Sequence, residues 1–388
     1  MSGCFCRMAP FTPSRAAWTR RLKRFDDFLA LAEEAGLYVQ PTGPDHWEGT
    51  PEWARGDRLA DERILAATVD FWRLFAARYR GRTAIMAYEL LNEPEVAWDT
   101  PAMRGRWCSW LKGRYDQAEQ ATKEWGLTLP ARAFEDLPPP GKGAAPGKYV
   151  LDYQRCREDI ADGWTRRQVE AIRAADPGAL VTVGLIQWSV PVWLGGPGQY
   201  SGFRPENQSR LLDLLEIHFY PLADGFYEYR GEADERRNLA CLECVTREAA
   251  RWHKPVLVGE FGWYGGGKPA IDAGRHPFAT GEQQARWCRR AVEVSSGWAA
   301  GWLNWGVFDH PGAGDVTEWT GMLTAQGAMK PWGESFRELA GRFGAKPPAT
   351  AGPVARPVLD WDLNLTDPRA VEAFRNGYFE AYAADHRR

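Results

Sequence analysis

The sequence predicts an α/β fold and, within that class, a (β/α)8 TIM barrel. Three observations carry the expectation. Short apolar runs alternate with longer helical patterns along most of the 388 residues, as repeated strand–helix units do. Several runs, such as "ALVTVGLIQW" and "KPVLVGEFGW", are apolar without alternation, which is how strands buried on both faces of a parallel sheet read. The side chains suited to chemistry fall at the C-terminal ends of different runs, the face on which barrel loops build a site. An open doubly wound sheet shares the alternation, but no GxGxxG or GxxxxGKS/T follows any run, so a nucleotide-binding version has no support.

In chain order, the expected strands are Cys4–Ala9, Leu37–Pro41, Ile85–Leu91, Leu180–Gln187, Leu214–Tyr220, Pro255–Phe261 and Gly301–Phe308. Between them lie amphipathic patterns such as "DERILAATVDFWRLFAARYRG" and "GEQQARWCRRAVEVSSG", which end at a glycine, the usual helix stop. Residues 1–343 are assigned to the barrel. Within them, 101–148 is an insertion: a helical part, then the Pro/Gly loop "LPPPGKGAAPGK". It follows the strand that ends in "LLNEPE" and is expected to overhang the site. Residues 344–357 read as a linker by composition. Residues 358–388 read as a C-terminal strand–helix extension, "VLDWDLNL" as strand, then a helix with Asp367 as N-cap and Pro368 at its first position.

Composition narrows the function. Hydrophobic residues make up 44% and charged residues 26%, a globular balance. A net charge of -3 gives no basic excess for nucleic acid or an anionic membrane, and no apolar run is long enough to span a bilayer. The seven cysteines are scattered and suggest no disulfide framework. Cys241-x-x-Cys244 lies in an amphipathic pattern and reads as helix packing, so neither a metal nor a cofactor is expected. The 20 tryptophans are explained first by core packing, but flat aromatic faces also stack on sugar rings, so the excess points weakly to carbohydrate.

Glycoside hydrolysis needs two carboxyl groups flanking the scissile bond, one to protonate the leaving oxygen and one to attack or to activate water. "LLNEPE" and "VGEFGW" each end an apolar strand in a glutamate just before a breaker: Glu93 before Pro94, and Glu260 two residues before Gly262. Pro94 should stop ladder pairing and hold Glu93 in an extended backbone. Glu89, four residues earlier on the same face, reads as a buried polar residue paired with a basic or hydroxyl group. Glu95 reads as a loop residue or a distal substrate contact.

"LLNEP", "IHFYP" and "VGEFG", in this order, resemble the cellulase-like clan of glycoside hydrolases, the clan of family 5. The resemblance runs from about Cys4 to Phe343. It implies a barrel that hydrolyses β-glycosides with retention, Glu93 as general acid/base and Glu260 as nucleophile. It also implies that Asn92 binds the sugar 2-hydroxyl, that Tyr220 contacts the nucleophile and that His218 lines the subsite by the proton donor. Trp305, rather than Trp302, would be the platform under the sugar, and Arg7 the arginine that holds the nucleophile. His46 and Trp47, with Asp45, are further candidate substrate contacts. Glu260 should stay ionised, helped by Arg7 and Tyr220, while Glu93 keeps its proton.

If Cys4–Ala9 is the second barrel strand, the first strand and helix are missing. A late start is one explanation, and would make a cytoplasmic chain, as written, a secreted one. The tail strand filling the vacancy, as in a circular permutation, is the other. The expected partner is an oligo- or polysaccharide, of the β-mannan or β-glucan class. The insertion resembles a segment of family 42 β-galactosidases and supports β-galactosides as an alternative. A non-catalytic carbohydrate-binding barrel is a third.

Overall fold

The computed structural model describes residues 15–44, 52–128, 131–221, 231–270, 277–314, 316–345 and 354–385. Five strands, β1 (Tyr88–Asn92), β2 (Val181–Ile186), β3 (Leu215–Phe219), β4 (Val256–Phe261) and β5 (Gly301–Asn304), pair in that order, all parallel. Every residue of β1 to β4 is buried, the burial expected of a sheet covered on both faces. Beyond β1 the sheet continues as two isolated parallel bridges, Val39 with Ile85 and Thr42 with Glu89. The expected strand Leu37–Pro41 is thus reduced to two contacts. Pro41 has no N–H to donate, so the hydrogen bonds skip from Val39 to the Pro41 carbonyl and Gly43.

The helices are α1 (Arg15–Glu34), α2 (Glu62–Tyr79), α3 (Pro101–Arg114), α4 (Ala118–Trp125), α5 (Lys148–Ala175), α6 (Pro205–Ser209), α7 (Glu232–Ala250), α8 (Gly281–Ser295), α9 (Pro331–Ala345), α10 (Trp361–Asn364) and α11 (Pro368–Asp385). The strand-to-strand connections carry α2, α3 to α5, α6, α7 and α8 in turn, the ordering of a (β/α)8 barrel. Local chemistry sets their ends. Asp61 caps α2 by accepting from the amides of Arg63 and Ile64, and Thr280 and Gln283 form a capping box on α8. Cys241 and Cys244 are buried free thiols on α7, and no described helix is long and apolar enough to cross a membrane.

Residues 101–148 pack against α5. Their interior is aromatic: Trp107 stacks on Trp110 and Trp125 at centroid distances of 5.4 and 5.9 Å, and Trp125 meets Tyr149 at 4.5 Å. Three of the 20 tryptophans, Trp107, Trp110 and Trp125, thus serve packing in this segment. Its Pro/Gly loop passes beside Gly198, in the connection after β2.

The tail does not enter the sheet. "VLDWDLNL" is irregular up to Asp360, which caps the short α10 by accepting from the Leu363 amide at 3.0 Å. The apparent alternation is overridden by this cap and by the docking of Trp361 and Leu365 as buried side chains. The tail strand of the permutation reading is absent, while Asp367 and Pro368 do open α11. Arg356 fastens the tail to α7, donating to Glu243 at 2.7 Å, and Tyr378 donates to the same carboxylate at 2.9 Å. The expected strand Cys4–Ala9 lies outside the described residues.

Candidate active site

The sheet register brings a set of polar residues level at the C-terminal rim. Asn92 of β1 pairs with Gly184 of β2, Ile186 with His218 of β3, and His218 with Glu260 of β4. Each of the ladders β1–β2, β3–β4 and β4–β5 shifts register near this level, between Glu89 and Asn92, Ile217 and His218, and Val258 and Phe261. Such irregularities re-aim side chains at the ends of strands.

The result is a compact cluster. Glu93, His218 and Glu260 each bring a donor atom within 4.8 Å of the other two. His218 Nδ1 stands 3.3 Å from Glu93 Oε1 and 3.6 Å from Glu260 Oε2. Tyr220 donates its hydroxyl hydrogen to Glu260 Oε2 at 2.9 Å, and its own amide donates to Gln187 Oε1 at 2.8 Å. The Glu93 side chain is 27% exposed and that of Glu260 11%, so solvent reaches both, whereas His218 is buried. The Asn92 amide oxygen is buried and has no hydrogen-bond partner among the described residues, which leaves it able to accept from a substrate hydroxyl.

Glu93 departs from expectation in its backbone. Its φ is +44°, one of two positive values among the described non-glycine residues, so it is left-handed rather than extended. Its amide donates to the Gly184 carbonyl at 2.9 Å. Ladder bonding therefore continues through Glu93, and the turn towards Pro94 is made by Glu93 itself. A strained backbone held by its surroundings is common where a side chain must be aimed.

Below this cluster lies a second polar layer. Glu216 accepts from Gln40 Nε2 with both oxygens, each at 2.9 Å, and faces His218 Nε2 at 3.6 Å. Glu89 accepts from Thr42 Oγ1 at 2.5 Å through Oε2, while its Oε1 has no hydrogen-bond partner among the described residues. Glu89 is thus paired with a hydroxyl, as its position on the strand implies. Glycines make the room. A Cβ at Gly259 would fall 1.8 Å from Glu216 Oε1, and one at Gly184 would fall 2.4 Å from Glu89 Oε1. A cavity of about 30 Å³, space for one water, lies between these groups and Glu260, Asn304 and Trp305.

Burial dominates the electrostatics. It pushes Glu260 up to about 7, with Glu93 adding to the rise and His218 and Tyr220 opposing it. Easy ionisation of Glu260 was expected from its donors; its desolvation outweighs those that are described. Burial also pushes Glu89 up to about 8, reinforced by the Glu216 charge. For His218, burial lowers the pKa, but Glu260, Glu216 and Glu93 together outweigh it and hold the imidazole well above the ordinary histidine range.

Trp305 lines the cavity beside Glu260. Trp302 points elsewhere: its Nε1 donates to Ser295 Oγ of α8 at 2.8 Å and its ring lies 5.1 Å from Phe343 of α9. Glu95 is exposed in the loop after β1, where it accepts from Trp188 Nε1, and desolvation by the surrounding chain raises its pKa. Arg7, Asp45, His46 and Trp47 lie outside the described residues. Sequence reasoning missed Glu216, Gln40 and Gln187. Glu216 had a signal, since it precedes His218 by two and shares its strand face. Gln40 and Gln187 had none. Two triads could chelate a cation, Glu93–His218–Glu260 at the rim and Glu89–Glu216–His218 beneath it. Two carboxyl groups this close, with a hydroxyl donor on one, suit attack at a carbon and proton donation to its leaving group.

Comparison with known proteins agrees with this chemistry. A family model described as cellulase (glycosyl hydrolase family 5) matches residues 10–307. A stretch of 118 residues is 29% identical to the β-galactosidase BgaA of Thermus sp and 30% identical to a β-galactosidase of Thermus thermophilus. That stretch is 28% of this chain and 18% of either relative, so less than a fifth of those enzymes is matched. Among solved structures, GH5_18 from Streptomyces cattleya in complex with GlcNAc aligns over 95% of this chain and 78% of its own, with a TM-score of 0.61 and 17% identity. A cold-adapted β-galactosidase from Rahnella sp. R3 aligns over 93% of this chain and 55% of its own, with a TM-score of 0.68 and 15% identity. At these identities the structural likenesses establish the barrel fold.

Proposed function

The chain belongs to glycosyl hydrolase family 5, the cellulase family, and on that premise we propose that it cleaves β-linked glycosides by a retaining double displacement. One observation carries the reading: oxygens of Glu93 and Glu260 lie within 4.8 Å of each other at the solvent-reached rim. Retaining enzymes hold their carboxyl groups roughly 5–5.5 Å apart, whereas inverting ones need about 6.5–9.5 Å to admit a water.

Glu260 attacks the anomeric carbon and its new C–O bond forms as the glycosidic C–O bond breaks. Glu93 gives its proton to the departing oxygen. In the second step Glu93 takes a proton from water, whose oxygen attacks the same carbon and releases Glu260. Tyr220 steadies the Oε2 oxygen of Glu260, Asn92 accepts from the sugar 2-hydroxyl, and Trp305 supplies a flat face beside the nucleophile. The substrate is a β-mannan or β-glucan oligo- or polysaccharide. A β-galactoside is the second reading, favoured by the stretch shared with the Thermus β-galactosidases. Release of reducing sugar from a panel of β-mannans, β-glucans and β-galactosides tests the reading and ranks the substrates. Hydrolysis of none, or equal hydrolysis by Glu93→Gln, would leave a binding barrel in its place.

A further inference from the structure

Glu95 stands two residues beyond the proton donor and has no part in the double displacement, yet the fold holds it in place at the rim. Its neighbours Pro94 and Val96 are buried while Glu95 itself is exposed. Resting on the retaining-hydrolase reading, we infer that Glu95 is a specificity-determining residue: its carboxylate accepts from a hydroxyl of the sugar unit that leaves with the proton of Glu93. The ligand class is a neutral, hydroxyl-bearing sugar on the leaving-group side of the scissile bond.

Three features carry this. First, the Glu95 side chain is fixed but half engaged. Its Oε1 accepts from Nε1 of Trp188, a buried indole, while Oε2 accepts from no described residue. A carboxylate with one oxygen tied to the protein and the other open is placed to receive a hydroxyl. Second, the loop that carries it is pinned on both sides. The Val96 amide donates to the Ser201 carbonyl at 2.8 Å, and the buried Arg157 donates to the Val96 carbonyl at 2.5 Å. Val96 packs so closely that a Cβ at Gly202 would fall 2.9 Å from its Cγ2. Trp98 Nε1 donates to the Pro140 carbonyl at 2.7 Å, which joins the loop to the insertion, and the Lys142 stem of that insertion runs along Gly198. A contact held this firmly discriminates among ligands, because little order is lost when it forms. Third, the place is on the leaving-group side. β1, which leads to Glu93, and β4, which carries Glu260, are separated by β2 and β3. Trp305 follows β5 and lies beside Glu260, so the sugar under attack lies towards β4 and β5. Glu95 follows β1 and Trp188 follows β2, so the unit beyond Glu93 lies over them. The Trp188 position is itself tied to the reacting pair: its neighbour Gln187 accepts from the amide of Tyr220, whose hydroxyl donates to Glu260.

The test separates a sugar contact from help given to Glu93. Wild type, Glu95→Gln, Glu95→Ala and Trp188→Phe are each given matched substrates: cellotriose with cyclohexyl β-cellobioside, mannotriose with cyclohexyl β-mannobioside, and lactose with cyclohexyl β-galactoside. Cyclohexanol needs the proton of Glu93 to depart, as a sugar does, but it carries no further hydroxyl for Glu95. In the pair that wild type cleaves, Glu95→Ala lowers kcat/KM on the oligosaccharide by roughly ten- to a hundredfold, the value of a hydrogen bond to a charge, and changes the cyclohexyl glycoside by less than about twofold. Glu95→Gln, which keeps an acceptor oxygen, and Trp188→Phe, which loosens the carboxylate, lower the oligosaccharide rate by less. Equal losses on both members of the pair, the mark of a structural role or of one exerted through Glu93, overturn the inference. So does an oligosaccharide rate unchanged in Glu95→Ala. A wild type that cleaves no member of any pair overturns the hydrolase reading, whereas unselective losses in an active enzyme overturn this inference alone.

Discussion

The Tyr220 hydroxyl donates to Glu260 Oε2 over 2.9 Å, from the residue after β3 to the neighbouring strand β4. This bond is one of the few described contacts that favour an ionised Glu260 against its burial. Tyr220→Phe should therefore raise the Glu260 pKa further. The acid limb of the kcat/KM profile should move towards alkaline pH by roughly one to two units, the value of one lost hydrogen bond to a charge. An unmoved acid limb would show that the phenol does not serve the nucleophile.

Removal of the nucleophile itself is more severe. Glu260→Ala should reduce kcat by a factor on the order of 10³ or more, since no step can proceed without the covalent intermediate. Azide should restore part of the rate with an activated aryl glycoside, and the product should have inverted anomeric configuration by NMR. Near-normal turnover in this variant rules out the assignment of Glu260.

Stability should depend on pH in a definite direction. Glu89 and Glu260 hold their protons in the folded chain up to about 8 and about 7, whereas the unfolded chain loses them near 4.5. Their contribution is thus present below about pH 4.5 and is lost as pH rises through 7 and 8. His218, raised in the folded state, acts in the same sense above its ordinary value. The melting temperature should fall from pH 5 to pH 8.5, and Glu89→Gln should flatten that slope. A melting temperature that rises over the interval contradicts the burial of these groups.

Gly259→Ala should harm both stability and turnover. Its methyl would lie 1.8 Å from Glu216 Oε1, so Glu216 must move in a packed layer at a cost of about 1–3 kcal/mol. Denaturant unfolding measures the first effect and kcat the second.

Arg356→Ala should destabilise the tail. The Arg356 side chain is 1% exposed and its Glu243 partner 5%, so the substitution takes the guanidinium from a buried carboxylate and leaves it the Tyr378 hydroxyl. A loss of about 3–5 kcal/mol is expected, with earlier proteolysis of α11 than in wild type. Arg356→Met combined with Glu243→Gln should lose less.

The placing of Glu93 and Glu260 at strand ends was legible because each glutamate ends an apolar run beside a breaker, a pattern that needs no tertiary information. The strands β1 to β5 were legible for the same reason, their ends trimmed by up to four residues except that β1 runs one residue further, to Asn92. The lower layer was not. Gln40 reaches Glu216 across 176 positions of sequence, and nothing local marks that pairing. Glu93 turned left-handed because its amide is claimed by Gly184, a partner from another strand. The tail misled through its alternation, although Asp360 followed by Trp361 is also how a capped helix begins.

The stacked indoles of Trp107, Trp110 and Trp125 bear on how ligand binding can be monitored. Intrinsic emission from this chain sums over 20 tryptophans, these three fixed in a stack among them, so titrations with sugar will give a small signal on a large constant background. A labelled or displaced fluorophore near Trp305 would report occupancy of the mouth far better.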